Sequence, residues 1–311
     1  MKRREFLGTL GTGVVAAVRP FAALSAGSSP RFIERWSWAM GQAVHLQLYA
    51  PSDDHGYEAA AAALAELRRV EDRLSLFDAA SDLSELNRRA GRQGGRFGPD
   101  LAAVLALGLR IERETHGAFN PAIEPLMRAW GFRQPRISEP SAREIRAARA
   151  SVLAARVVLE GERISLPSSE TRLDLGGIGV GYGLDRAAAV LRRMGIGSAL
   201  LDVSGDCIAV GVPPGSEGWL VEIAPPVKGG RPVGFTHLRD AALATSANTA
   251  SVVRYGRAAR GHVMNPESGW PADALVQVSV VARSGVESDA LSTAMLVSGR
   301  PDRGVVRYYK A

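Results

Sequence analysis

Cysteine is nearly absent: Cys207 is the only one in 311 residues. The chain therefore closes no internal disulfide and offers no cysteine cage for zinc or iron; the role expected of Cys207 is that of a small buried hydrophobe. Lysine is almost as scarce, with only Lys2, Lys228 and Lys310. Arginine thus carries the formal charge of +6, and acidic residues are scattered among the arginines without a basic run interleaved with aromatics, which argues against nucleic acid as a partner. No Gly-x-Ser-x-Gly elbow points to a serine hydrolase, and no His/Cys cluster points to a transition metal. No stretch is apolar for long enough to span a bilayer as a mature helix.

What is present begins with a sorting signal. Lys2-Arg3-Arg4-Glu5-Phe6-Leu7 precedes a weakly apolar run, Leu10 to Val18, and small residues around Ala23 to Gly27 offer a cleavage site. The Arg-Arg-x-Phe-Leu arrangement resembles a twin-arginine signal, with an ordinary secretory signal as the alternative. Residues 1–26 are read as this signal and 27–311 as one functional domain, which places the mature protein in the periplasm or cell envelope.

In the mature chain, Arg31 to Tyr49 alternates as two strands turning at Met40-Gly41, with His45 on the polar phase and expected at the surface. Helical spacing predicts helices over Gly56 to Leu74, Pro99 to His116 and Ser141 to Ala155, and a short one capped by Ser81 or Asp82. Between them, the Pro/Gly-rich stretch from Gly117 to Phe132 reads either as an aromatic-bearing loop or as a core anchor. Strands are expected over Ser198 to Val203, Ile208 to Val210, Trp219 to Ile223, Ala242 to Ser246 and Val276 to Val281, with Ser204-Gly205-Asp206 setting a carboxylate at a strand end. No internal repeat or domain linker is visible.

Three stretches bear chemistry. Arg172-Leu173-Asp174-Leu175 alternates like a strand and runs through Gly176, Gly177, Gly179, Gly181 and Gly183 into a helix from Ala187 to Arg193. It is neither a dinucleotide fingerprint nor a phosphate loop, and a ligand loop and a tight packing turn are both open. His262 sits in a turn-dense segment with Val263 and Pro266, where a hydrogen-bonded loop histidine is the plain alternative to a reactive one. Asp289 and Thr293, four apart on a helix expected to start near Ser288, share a face; they are hard oxygen donors suited to magnesium, or Ser288 and Asp289 are simply caps.

Taken together, Asp174 to Gly179, Ser204-Gly205-Asp206, Ala244-Thr245-Ser246, His262 with Pro266, and Asp289-Ala290-x-x-Thr293 resemble in order and spacing the ApbE family of FAD:protein FMN transferases. Met40-Gly41, Leu74 to Asp78, Ser81 to Asn87, Gly117-Ala118-Phe119 and Trp130-Gly131-Phe132 fit as well, so the likeness covers nearly all of the mature chain. It implies a single α+β, T-fold-like domain of mixed, largely antiparallel sheets with flanking helices. It also implies a Mg²⁺-dependent enzyme, with Mn²⁺ as the alternative ion, that splits FAD, places FMN on a threonine of an exported or membrane flavoprotein, and releases AMP. By resemblance the metal ligands are Asp289, Thr293 and the Gly177 carbonyl, with a contribution from Ser292. Met40, Phe77, Ala118, Phe119, Asn120, Asp174, Val180 and Val263 fall where the family contacts FAD. His262 is the candidate base for the acceptor hydroxyl, and the partners implied are FAD and an acceptor flavoprotein carrying the target threonine, with a membrane-bound redox partner as a further option.

The chain also departs from the family pattern. Val180 stands where many members carry lysine, Phe77 where tyrosine is common, and Asn120 where aspartate is common. Two rivals stay in play: an FAD pyrophosphatase yielding FMN and AMP, in which water attacks in place of the threonine, and a flavin-binding or assembly protein without turnover, which the changes at Val180 and Asn120 allow.

Overall fold

The computed structural model describes residues 29–227, 229–301, 304–305 and 307–310. The expected export signal over residues 1–26 lies outside them. In chain order the elements are β1 (Arg31–Ala39), β2 (Gln42–Ala50), α1 (Asp53–Leu74), α2 (Asp82–Arg88), β3 (Gly95–Arg96), α3 (Pro99–Glu114), α4 (Glu124–Ala129), α5 (Ala142–Leu153), β4 (Val158–Glu160), β5 (Arg163–Ser165), α6 (Gly179–Arg193), β6 (Ser198–Val203), β7 (Asp206–Val210), β8 (Trp219–Ile223), β9 (Gly234–Leu238), β10 (Ala242–Ala247), β11 (Val252–Tyr255), β12 (Ala258–Gly261), β13 (Gln277–Ala282), α7 (Gly285–Ser298) and β14 (Arg307–Lys310).

Seven strands form one sheet in the order β1-β2-β6-β7-β10-β13-β14, and every neighbouring pair is antiparallel. Helices α1 and α6 pack on the β1-β2-β6-β7 half, and α7 packs on β10 and β13. The apolar stripe of α1 (Ala60, Leu64, Leu67, Val70 and Leu74) is buried, as its helical spacing requires. Its Ala60, Leu64 and Leu67 meet Val44, Leu46 and Leu48 of β2 and Leu184 and Leu191 of α6 in one core cluster, while Val70 and Leu74 join Leu83 and Leu86 of α2 in a second. On the opposite face the β8–β9 hairpin covers Leu200, Cys207, Leu243 and Val281, so the lone cysteine is a buried hydrophobe. This is a single α+β domain of largely antiparallel sheets with flanking helices.

Several expectations are corrected. His45 is buried rather than exposed: its ring stacks on Trp36 at 4.0 Å and its Nε2 pairs with Glu34 at 2.7 Å. Strand parity fixes the face on which a side chain projects, but burial there depends on the neighbouring strand, and Trp36 lies directly opposite. Residues 172–175 form no strand. Asn87 brackets Leu173, its Nδ2 donating to the Leu173 carbonyl and its Oδ1 accepting the Leu173 N–H, while the Asp174 N–H donates to the Pro121 carbonyl. The backbone is satisfied without a ladder, and the alternation reflects burial of Leu173 and Leu175 in the core.

Helix α6 begins at Gly179, not Ala187, so three of the glycines lie inside it. Helix α7 begins at Gly285 with Ser284 as its cap, and the Ser288 hydroxyl donates back to the Gly285 carbonyl within the helix. Between Gly117 and Phe132, Phe119 and the fully buried Trp130 make the stretch a core anchor, with the Trp130 indole N–H donating to the Gly269 carbonyl at 2.9 Å.

Candidate functional site

The site grows from the crossing of α6 and α7. Their backbones touch: a Cβ built on Gly181 would lie 2.1 Å from the Gly285 carbonyl oxygen, and one on Gly285 would lie 2.3 Å from that of Gly181. Only paired glycines permit this approach. It brings Asp289, one turn into α7, under the first turn of α6, where its Oδ2 accepts the Gly181 N–H at 2.9 Å. In return, Asp185 of α6 accepts the first two N–H groups of α7, from Gly285 at 2.7 Å and Val286 at 3.0 Å. Each helix therefore supplies a carboxylate to the unsatisfied donors at the other's start.

Next to Asp289 lies a group of hydroxyls. The Ser246 hydroxyl on β10 is 2.8 Å from that of Ser292 and 3.1 Å from that of Thr293. The Ser292 hydroxyl donates to the Asp289 carbonyl at 2.8 Å, so within this group it also holds the helix turn. Gly177 closes the group, since a Cβ there would stand 3.0 Å from the Thr293 hydroxyl. Asp206, at the start of β7, accepts the Thr245 N–H at 2.8 Å.

Desolvation dominates the electrostatics. It pushes the Asp289 carboxyl up to about 7, with the charge of Asp185 adding to the rise. Asp206 is also held well above the usual carboxylate range, by desolvation and then by repulsion from Asp289. Two enclosed carboxylates that resist ionising together, beside hydroxyls and an accessible backbone, make an oxygen-only donor set that fits a hard divalent cation. Among the described residues no three His, Cys, Asp or Glu side chains converge, so hydroxyl and carbonyl oxygens would have to complete any such shell.

The 174–177 segment links this group to a second one. Asp174 accepts the Gly176 N–H through Oδ1 at 2.7 Å and a donor of Arg133 through Oδ2. Arg133 also donates to Glu124 at 2.8 Å, and its guanidinium lies 5.5 Å from the ring centre of Phe77, which is 80% exposed. Phe77 thus presents an aromatic face to solvent. The charges of Asp174 and Arg133 both reach His262. The His262 backbone N–H donates to the Ser251 carbonyl, its ring stands edge-on to Phe132, and its Nδ1 is enclosed without a hydrogen-bond partner. Desolvation lowers its pKa, so the imidazole is neutral near pH 7.

The other sequence-derived positions surround these groups. Phe119 is in the core with its ring beside Gly177, and Ala118 packs against the same core. The Asn120 amide donates to Glu112 at 3.1 Å while its oxygen accepts the Ala122 N–H at 2.8 Å. Met40 occupies the β1–β2 turn at φ 56°, its N–H bound by Glu71, with its thioether against Gly183. Val180 is half-buried on the α1–α6 side of the core, and buried Val263 accepts the Ala272 N–H. Gly177, Asp289, Ser292 and Thr293 are thus brought together, Asp174, Phe77 and His262 gather around Arg133, and Met40 lies apart, in the β1–β2 turn against Gly183 of α6. Sequence reasoning passed over Arg133 and Asp185. The first directly follows the noted Trp130-Gly131-Phe132, and the second is four residues after Gly181, yet neither has a spacing that reveals its partner.

With this geometry in hand, the comparisons are specific. The family model described as the ApbE family matches residues 40–306. An FAD:protein FMN transferase of Rhodobacter capsulatus is 32% identical over 231 residues, 72% of this chain and 43% of that protein, so the chain spans less than half of this relative's length. One from Vibrio cholerae is 27% identical over 244 residues, 77% of this chain and 72% of that protein. Among solved structures, the flavin transferase ApbE from Vibrio cholerae superposes with a TM-score of 0.76 at 25% identity, covering 86% of this chain and 87% of that one. The apo flavinyl transferase ApbE of Pseudomonas stutzeri gives 0.75 at 26%, covering 88% and 86%.

Proposed function

The chain belongs to the ApbE family, and from that premise we propose that it transfers FMN from FAD to a threonine hydroxyl of an exported or membrane flavoprotein, releasing AMP, with Mg²⁺ as cofactor. The observation that carries this reading is the oxygen-donor group of Asp289, Thr293, Ser246 and Gly177, joined through residues 174–177 to the group around Asp174 and His262. Asp289, Thr293 and the Gly177 carbonyl would hold the ion, with Ser292 and Ser246 behind them. Bound there, it would neutralise the pyrophosphate and make its phosphorus more electrophilic.

The remaining roles fall to side chains and backbone. The bare backbone at Gly176 and Gly177 lets phosphate oxygens approach without a Cβ in the way. The exposed ring of Phe77 suits a flat heterocycle. The imidazole of His262, neutral near pH 7, is fitted to take the proton of the acceptor hydroxyl. As that hydroxyl oxygen bonds to the FMN-side phosphorus, the P–O bond to the adenylate breaks and AMP leaves with the electron pair. The Arg3-Arg4 leader supports a periplasmic or cell-envelope site of action, with residues 27–311 as the transferase domain.

The test is to incubate the mature protein with FAD, Mg²⁺ and an acceptor domain, following AMP and protein-bound FMN together. Transfer predicts both products. AMP with free FMN would mean hydrolysis instead, bound FAD with neither product would mean a binding protein, and equal rates in chelator would remove the metal roles of Asp289 and Thr293.

A further inference from the structure

Helix α7 carries Asp289, yet the residue that fixes the start of α7 belongs to α6. Both carboxylate oxygens of Asp185 are engaged, one with each of the first two N–H groups of α7. Ser284 takes the third, from Glu287 at 3.2 Å. The first turn of α7 is therefore held against α6 by Asp185, at the level where Gly181 and Gly285 touch. Asp289 is one turn further along, and its Oδ2 returns to the Gly181 N–H. The two carboxylates thus close a ring: Asp185 to the start of α7, along α7 to Asp289, across to Gly181, and along α6 back to Asp185.

We propose that Asp185 is a positioning residue for the cation site: by docking the first turn of α7 it sets the direction of the Asp289 oxygen left free of Gly181. This rests on the metal reading given above. A helix turn moved by a fraction of an ångström would leave α7 folded while spoiling the convergence of Asp289, Thr293 and Gly177, because a small cation tolerates little error in ligand placement. Asparagine at 185 would keep the shape but turn an amide N–H₂ toward a backbone N–H, so one of the two bonds is lost. Glutamate would keep the charge and displace it by a methylene.

The experiment is a Mg²⁺ titration of the mature protein, following thermal unfolding in the presence of FAD. It compares the wild type with Asp185→Asn, Asp185→Glu and Asp100→Asn. Asp100 braces the other side of α6 through Tyr182 and Arg69, so its variant loosens the same helix without touching the start of α7. The expected result is a Mg²⁺ half-saturation raised about tenfold or more in Asp185→Asn, raised less in Asp185→Glu, and within about twofold of wild type in Asp100→Asn even though its Tm falls. Wild-type half-saturation in either folded Asp185 variant overturns the proposal, as does an equal shift in Asp100→Asn. If the wild type itself shows no Mg²⁺-dependent stabilisation, the metal reading fails and the inference falls with it.

Discussion

Gly181 and Gly285 meet backbone to backbone, and the candidate site exists because nothing stands between them. Alanine at Gly181 would put a methyl 2.1 Å from the Gly285 carbonyl, with main chain on both sides and no side chain able to move away. Gly181→Ala is expected to cost roughly 3 kcal/mol or more. Gly179→Ala, two residues earlier where a Cβ meets no atom within 4 Å, should be neutral or stabilise by up to about 1 kcal/mol. Thermal unfolding of the pair checks this; equal losses would mean that α6 and α7 do not cross as described.

His262 predicts a pH limb. Its folded pKa lies below the ordinary 6.5 because the ring is desolvated, so the transfer rate should rise with pH through a pKa below 6.5 and level off near neutrality. His262→Asn should remove the limb and lower kcat by about 100-fold, with FAD binding retained. Stability has the same sign. The unfolded chain binds this proton more readily than the folded one, so the contribution is complete above pH 6.5 and is lost as pH falls through the folded value. A pH–rate profile unchanged by the substitution would assign the base elsewhere.

Asn120 is matched to its neighbours in a way that aspartate would not be. It donates to Glu112 and accepts from the Ala122 N–H, and desolvation already raises the Glu112 carboxyl. In Asn120→Asp two carboxylates would share that contact, at a cost of about 1–3 kcal/mol at pH 7. Mutual repulsion raises the folded pKa values further, so the folded state holds its protons more tightly and the loss should shrink as pH is lowered. Tm measured from pH 5 to 8 on both proteins gives the sign directly.

Val180→Lys supplies the cation that the resemblance to the family leads one to expect at this position. If position 180 faces the pyrophosphate as the proposed function requires, a lysine there would gain a charge-assisted contact with a phosphate, set against an unfavourable position in the first turn of a helix. A net gain of about 1 kcal/mol would tighten the FAD Kd roughly fivefold. The aliphatic stem can cover the core surface that Val180 now covers. Calorimetric titration with FAD measures the change, and an unaltered Kd would show that this position does not face the cofactor.

The sequence by itself determined the local elements whose periodicity is unambiguous. The α1 stripe, the β1–β2 turn at Met40-Gly41 and the shared face of Asp289 and Thr293 follow from spacing alone, because side-chain direction repeats every 3.6 or 2 residues. The joint order of the glycine stretch, His262 and the Asp289 helix also sufficed to indicate the family. Tertiary structure decided what spacing cannot encode. His45 is buried because Trp36 of the neighbouring strand covers it, and Leu173 alternates without a strand because Asn87 takes its backbone bonds. Glycines that read as a ligand loop or packing turn open a helix, with Gly181 pressed against α7 and Gly183 against Leu67 of α1, and the exchange between Asp185 and Asp289 joins residues 104 positions apart in sequence. Such contacts are chosen by packing among distant elements, and packing leaves no period in the chain for a reader to find.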